Sequence, residues 1–529
     1  MKRDFASLQN KHFDLLVCGG GVYGAWTAYD AALRGLKVAI VEQGDWANAT
    51  SSASSKLIHG GLRYLETYDF KLVSKSLKER KMLLQTAPHR VWPLRFGIPV
   101  YTYQRINRLQ LKLGLVLYDF FAGDADPKMH HSYLNHKKFT EHFPLLNEHA
   151  LKGGFTYADA QTDDARLVLE LIAGAMQAGA SCINYCKLIH FLETNGKVDG
   201  AIIRDQLTQT EQKISTKQIV FTTGQWLINE TQNLDWCRLS KGIHLVMPAV
   251  LKDEALLLTA KSDGRVFFMI PWYGLTLLGT TDTDLKGNLE QVSIDDTDIS
   301  YLLAAANDYL KTPWTKADII GCFVGVRVLR QNTQSVFPRS PSAISRDWEL
   351  KSAPNGVHYA IGGKITSSRQ DAARIVDTVC VQLGIHQPCA TQDRLFPWAP
   401  RESFAEWSTS MQNQAVQLGI DAESARWLLH RHGIRTHEIY RKIEIDADLV
   451  QRIIPSLPFI YADLMHCAST EMAIHLDDLL RRRLPLLILT KLTENKLRQI
   501  AIRIASTMSW DDAKIYQEVE RCRKQWITH

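Results

Sequence analysis

The sequence predicts an α/β chain, α+β overall: a Rossmann-like nucleotide-binding domain, room for a further domain beside it, and an α-helical domain at the C-terminal end. Three observations carry this prediction. A glycine fingerprint stands between a strand-like apolar run and an alanine-rich helical run within the first forty residues. The length of 529 residues makes room for two to four domains at roughly 150 residues each. Beyond the proline-containing stretch 390–401, the apolar spacing is helical to the end of the chain.

The first element is the apolar run 13–18, of strand length, followed at once by Gly19-Gly20-Gly21-Val22-Tyr23-Gly24. Residues 25–33 read as a helix stopped by Gly35, and 37–41 as a second strand ending at Glu42. This is a βαβ unit with an acid about 20 residues past the glycines. Gly19 permits the tight turn, Gly21 lets backbone approach a pyrophosphate, and Gly24 lets the helix pack close to the strand. The helix N-terminus offers N–H groups and a positive dipole end to phosphate. Glu42 suits ribose hydroxyls and would repel a 2′-phosphate, which argues against NADP. The fingerprint alone does not separate FAD from NAD.

Further along, residues 71–84 carry apolar side chains at helical spacing, ended by Pro88, and 96–103 reads as a strand entering a second domain. Residues 103–123 are basic and then apolar, with Arg105, Arg108 and Lys112 ahead of Leu113 to Phe121. This fits a helix resting on an anionic membrane surface, or a core helix with solvated basic ends. Asp163 and Asp164 open a helix that runs to Gly179, with acids at its positive end. Residues 217–223 read as a strand leading into Gly224-Gln225-Trp226. The run Arg481-Arg482-Arg483 reads as cations at a helix C-terminus, with a membrane or partner patch as the other reading.

Composition narrows the classes. Apolar residues are 45% and charged residues 22%, which excludes disorder and fibrous structure. A net charge of +6 is too weak to argue for nucleic acid. Nine cysteines without a Cys-x-x-Cys, and no signal or transit peptide, lead us to expect reduced thiols in the cytoplasm. No run of about 20 uncharged apolar residues is present, so no transmembrane helix is expected. No metal is expected either: there is no His-Glu-x-x-His, and His130-His131 lacks an acid cluster. A P-loop is absent as well.

The long run from Thr50 to Glu66, TSSASSKLIHGGLRYLE, resembles the signature of the FAD-dependent glycerol-3-phosphate dehydrogenases of the aerobic, respiratory type. The same family is resembled at Asp163-Asp164-Ala165-Arg166-Leu167, at 241–246, at Pro271-Trp272, and at Gly279-Thr280-Thr281-Asp282. It is resembled again at 325–329, 344–347, Gly362-Gly363-Lys364-Ile365-Thr366 and 471–483, so that the likeness spans about residues 12–515. Departures are Gln225 and Val328 where the family has Pro, Ser367-Ser368-Arg369 where it often has Thr-Tyr-Arg, and the loop 331–342, where it tends to be acidic.

The resemblance implies a fold of the glucose-oxidoreductase and amino-acid-oxidase type. FAD-binding segments are expected at 12–85, 156–240 and 351–389, with an inserted β-sheet substrate or cap domain made of 86–155 and 241–350. The C-terminal helical domain is expected at 390–529. The implied reaction moves a hydride from C2 of sn-glycerol 3-phosphate to FAD, gives dihydroxyacetone phosphate, and sends the electrons to a membrane quinone. An oxidase that reduces oxygen to peroxide and a catalytically silent flavin-binding protein remain as alternatives. The expected location is the inner face of the cytoplasmic membrane, held peripherally, with room for a homodimer.

Site residues follow from the matched motifs. FAD is expected at Gly19, Gly21, Gly24, Glu42, Thr50, Ser51, Ser52, Ser55, Leu57, Gly60 and Gly61, then at Gly224, Trp226, Gly363, Lys364, Ile365 and Thr366. A substrate dianion calls for arginine, whose planar fork pairs bidentately with phosphate. Arg327 and Arg346 are the first candidates, with Lys364, Tyr64 and Arg63. The proton acceptor is expected to be His244 or His59, with Arg327 and Lys364 also at the reacting centre.

Overall fold

The apolar run becomes the strand His12–Cys18, paired in parallel with Val38–Val41 on one side and Glu211–Phe221 on the other. In this computed structural model the described residues are 1–529 without 67, 104–106, 231–235, 286, 288, 290–291, 332–346 and 527–529. The side chains of 229, 230, 525 and 526 are likewise outside the description. Arg105, Arg346 and nearly all of the loop 331–342 therefore lie outside the described residues.

Two sheets organise the chain. The first runs Trp348–Ser352, Val357–Gly362, Glu211–Phe221, His12–Cys18, Val38–Val41, Ser181–Ile183, with Cys186–Thr194 and Lys197–Asp205 added antiparallel beside Glu211–Phe221. Its central pairs are parallel, so both faces must be covered. The helices Val22–Leu33, Asp164–Gln177 and Ser368–Leu383 cover one face with a core of Ala25, Ala28, Leu167, Leu171, Ile375 and Val379. The alanine-rich face of the first helix is what allows the close approach.

The second sheet contains Val91–Tyr101, Leu151–Thr162, Cys237–Met247, Glu254–Thr259, Val266–Trp272, Leu275–Gly279 and Gly321–Arg330. One face packs on the helix Asp296–Asn307. The other packs on the C-terminal helices through Phe96, Trp272 and Phe323 against Leu464, Leu476, Leu480 and Leu486.

Three of the expected boundaries stand within strands. Position 155/156 falls inside the strand Leu151–Thr162, 240/241 inside Cys237–Met247, and 350/351 inside Trp348–Ser352. Leu57–Ile58, expected in the first FAD segment, pairs with Leu151–Thr162 of the second sheet. The reason is physical: a strand is held by its ladder hydrogen bonds and stays in one sheet, whatever motif begins part-way along it.

The arginine run stands at the end of a helical segment, as one of the two sequence readings has it, but two of its three side chains are buried where either reading would leave them at the surface. It lies in the π-helix Leu479–Arg483, where Arg482 and Arg483 are buried. Arg482 donates to Asp45 Oδ2 and to Asp478 Oδ1, both at 2.6 Å, and Arg483 Nη2 donates to Asp45 Oδ1 at 2.9 Å. These cations dock the helical part on the loop after the second strand. No helix of the described residues is long and apolar enough to cross a membrane.

Candidate active site

The cofactor cradle is built by close packing. Gly19 has φ +108°, and a Cβ on Gly24 would lie 1.9 Å from the Gly19 carbonyl oxygen. Only glycine lets the helix Val22–Leu33 start this near the strand. Gly21 is the N-cap and offers no side chain; Ser51 Oγ accepts from the Val22 N–H at 2.9 Å instead. The Glu42 carboxylate accepts from the Gly20 N–H at 2.6 Å and the Gly44 N–H at 2.8 Å. Burial raises its proton affinity and those two bonds oppose the rise.

A cavity of about 380 Å³ is lined at one end by Gly19, Gly21, Glu42 and Ser51, and at the other by His244, Arg327, Arg63, Tyr64 and Lys364. Thr223 and Gly224 also line it. The Thr223 hydroxyl is buried and has no hydrogen-bond partner among the described residues. Nothing stands within 4 Å of where a Gly224 Cβ would be. Bare backbone, an unsatisfied hydroxyl and a helix N-terminus together fit a flavin dinucleotide.

The far end is set by register. His244 stands in Cys237–Met247 between Gly279 and Phe323 on the neighbouring strands. A Cβ on Gly279 would lie 2.2 Å from His244 Cδ2, so the glycine makes room for the imidazole. On the other side the ring stacks on Phe323, 4.8 Å between centroids and 13° from parallel. His244 Nε2 is 2.9 Å from Ser55 Oγ, and Nδ1 has no hydrogen-bond partner among the described residues. Burial, then the Arg327 and Lys56 cations, hold its pKa well below the ordinary imidazole value, so the ring is neutral.

Gly242 has a similar job. The Arg327 guanidinium lies over it, and a Cβ there would meet Nη1 at 2.3 Å. Arg327 donates to the Thr281 carbonyl at 3.1 Å and to Thr280 Oγ1 at 2.9 Å. Lys364 Nζ lies 4.3 Å from the Tyr64 ring centroid and 3.3 Å from Ser76 Oγ. The Arg63 guanidinium carbon is 5.8 Å from the same ring. The His59 N–H donates to Thr366 Oγ1 at 3.1 Å, and its ring meets Phe268 edge-on.

A family model described as FAD dependent oxidoreductase matches residues 14–369. A second, described as the C-terminal domain of alpha-glycerophosphate oxidase, matches 399–515. The chain is 34% identical to a glycerol-3-phosphate dehydrogenase of Synechocystis, over 92% of this chain and 91% of that protein. The chain belongs to the FAD-dependent glycerol-3-phosphate dehydrogenase family. The aerobic glycerol-3-phosphate dehydrogenase of Bacillus subtilis is 32% identical, over 91% of this chain and 88% of that one. The crystal structure of the Bacillus halodurans glycerol-3-phosphate dehydrogenase complexed with FAD has a TM-score of 0.79 at 28% identity, covering 98% of this chain and 95% of that one. FAD is the cofactor of the family, and the cradle here suits it.

For this glycerol-3-phosphate dehydrogenase family member, most residues expected from sequence lie on the cavity wall: Gly19, Gly21, Glu42, Thr50, Ser51, Ser55, Leu57, Gly61, Gly224, Trp226 and Gly363 to Thr366. His59, Arg63, Tyr64, His244, Arg327 and Lys364 lie there too. Three expected cofactor residues stand off the wall. Gly24 packs on Gly19, and the Ser52 hydroxyl turns to the Ala49 carbonyl at 3.2 Å. The Gly60 N–H donates to Tyr118 Oη at 2.9 Å, and its α-carbon faces Leu77.

Sequence reasoning assigned no role to Arg265, Thr280, Thr281 or Asp282, all on the wall. The Thr-Thr-Asp run was visible as a family motif; Arg265 had no local signal, because only the sheet brings it to the Asp282 carbonyl, at 2.8 Å. Among the described residues the fold also gathers two interior groups that share His432, one with His466 and Glu471 and one with Asp463 and Cys467, each with ligand atoms close enough to hold an ion. The two carboxylates there are already paired, Glu471 with Arg166 and Asp463 with Arg431.

Proposed function

We propose that the chain oxidises sn-glycerol 3-phosphate to dihydroxyacetone phosphate, with FAD as the first electron acceptor and a membrane quinone as the second. One observation carries this reading: a single cavity joins the dinucleotide cradle to a buried histidine among arginine and lysine side chains. FAD supplies the acceptor for the hydride leaving C2. Arg327, with Arg63 and Lys364, binds the phosphate dianion; Arg346 is kept in this role on sequence grounds. Tyr64, touched by Lys364, donates its hydroxyl to the same end. His244 takes the proton of the C2 hydroxyl, and its neutral state is the one that can accept. His59 is the second candidate, closer to the Gly362–Thr366 turn.

Peripheral membrane contact is assigned to the helix Arg108–Ala122. Leu109, Leu113, Val116 and Phe120 recur at helical spacing and are 76%, 70%, 46% and 78% exposed. A stripe of large apolar side chains facing water is what an interfacial helix presents. Tyr68 and Phe70 extend it, with Phe70 against Phe121. The stripe supports peripheral contact; the inner face of the cytoplasmic membrane is kept as the location on the sequence resemblance.

The deciding experiment is an anaerobic titration of the purified yellow protein with glycerol 3-phosphate. Bleaching of the flavin is expected, followed by reoxidation with a quinone analogue. An unbleached flavin overturns the reading. Stoichiometric peroxide with no quinone reduction would make the chain an oxidase.

A further inference from the structure

Lys56 stands behind the active-site wall and takes no part in the function proposed above. It is 2% exposed and has a left-handed backbone, φ +60°, which strains a lysine. Its N–H donates to Ser54 Oγ at 3.0 Å and its carbonyl accepts from the Thr162 N–H at 2.9 Å. Its ammonium donates to Asp164 Oδ1 at 2.5 Å and to the Ser52 carbonyl at 2.8 Å. Asp164 Oδ2 accepts in turn from Ser54, from N–H at 3.0 Å and from Oγ at 2.7 Å. The loop 52–56 is thus gathered around one buried ion pair. Such a pair is weak as a source of net stability, so its placement calls for a local reason.

That reason lies one residue away. Ser55, inside the same loop, holds His244 Nε2 at 2.9 Å. The Lys56 ammonium is 5.2 Å from the ring centroids of both Trp272 and Phe323, and Phe323 is the ring on which His244 stacks. The groups facing His244 are Ser55 from the loop, Gly279 from one neighbouring strand, and Phe323 and Arg327 from the other. Lys56 acts on it from behind with Asp164 as its counter-ion. Among the described residues no carboxylate is hydrogen bonded to the ring, so the nearby ionic influences on it are cations.

We propose that Lys56 is a positioning residue for His244: it fixes Ser55 against the imidazole and holds a paired cation behind the Phe323 ring on which that imidazole stacks. The inference rests on the reading of His244 as proton acceptor, since a histidine serves that role only while neutral. Two effects of one side chain, orientation and charge, then protect the same state.

The test uses the holoenzyme with ¹⁵N-labelled histidine, the His244 signal being identified by its loss in His244→Asn. At the lowest pH at which FAD stays bound, Lys56→Met is expected to show more imidazolium at His244 than the wild type, as a midpoint moved to higher pH. The limiting rate of anaerobic flavin reduction by glycerol 3-phosphate is expected to fall relative to wild type as pH is lowered. Lys56→Arg keeps the cation and should return both readings toward wild type. Lys56→Met with Asp164→Asn leaves no unpaired buried carboxylate; it removes both charges of the pair, so it should show a smaller shift in the same direction, which carries the test if the single variant does not fold. A His244 spectrum unchanged at that pH in whichever of the two Met variants fold overturns the proposal. If the spectrum shifts but His244→Asn reduces its flavin at the wild-type rate, the hold of Lys56 on the ring stands and the acceptor reading falls.

Discussion

Arg327 is bound to Thr280: its Nη2 donates to Thr280 Oγ1 at 2.9 Å, while Nη1 donates to the next carbonyl, that of Thr281, at 3.1 Å. The guanidinium thus spans two strands' ends, and it can do so only because Gly242 lies beneath it. It both lines the cavity and holds the loop 280–282 in place.

Arg327→Ala is therefore expected to weaken substrate binding. Charge-assisted hydrogen bonds to phosphate are worth roughly 1.5–3 kcal/mol each, so KM for glycerol 3-phosphate should rise about 10- to 100-fold. FAD should stay bound, because the glycine turn, Glu42 and Ser51 are left in place. Lysine should restore little, since it lacks the fork that reaches both Thr280 and Thr281. Steady-state kinetics with the flavin absorbance as a control check this; an unchanged KM removes Arg327 from the clamp.

Gly24→Ala should damage the cradle. The added methyl would lie 1.9 Å from the Gly19 carbonyl, so backbone must move. Overpacking of this kind costs typically 1–3 kcal/mol. The expected outcome is a lowered melting temperature and protein purified with much less FAD. Full flavin occupancy at wild-type stability would show that the helix can yield.

Acid should unlock the junction at Glu170. This buried carboxylate accepts from Arg90 Nε at 3.0 Å, from the Trp398 N–H at 2.8 Å, and lies 2.9 Å from His89 Nε2. Burial alone would raise its pKa, but His89, Arg90 and the Trp398 N–H outweigh burial and bring it to about 2, from an ordinary 4.5. The folded value is depressed, so the stabilisation is present above pH 4.5 and is lost as pH falls from 4.5 toward 2. Its size is roughly 3 kcal/mol. Glu170→Gln should be less stable near neutrality and flatter across that window in urea denaturation. A slope equal to wild type refutes this account.

The exposed stripe should control membrane attachment. Leu113→Glu with Phe120→Glu places two charges on the apolar face of Arg108–Ala122 and is expected to abolish sedimentation with anionic vesicles. Anaerobic flavin reduction should be unaffected, because neither residue lines the cavity. Arg108 and Lys112 border the stripe, so wild-type binding should also weaken with salt. Vesicle binding that survives the double substitution places the contact elsewhere.

Much of the site was legible because its chemistry is local. The βαβ unit, its glycines and the Thr50–Glu66 run each act within a few residues, so spacing suffices to read them. His244 and Arg327 were visible as family motifs, but not why Gly242 and Gly279 accompany them. Those glycines answer side chains that come from other strands. Gly24 meets Gly19, as the close helix–strand packing read from the fingerprint requires. Gly60, expected on the cofactor, instead meets Leu77, a neighbour set by tertiary packing.

The sequence by itself determined the fold class, the dinucleotide fingerprint, the family and its cofactor, since these depend on short-range periodicity and contiguous motifs. Only the tertiary structure decided which nitrogen of His244 meets Ser55, and that Arg482 and Arg483 are buried partners of Asp45. It also decided that Lys56 and Asp164 form one pair across more than a hundred residues of chain. The physical reason is the same each time. A charge or a hydrogen bond acts over a few ångströms of space, and only folding determines which distant residues come within that distance.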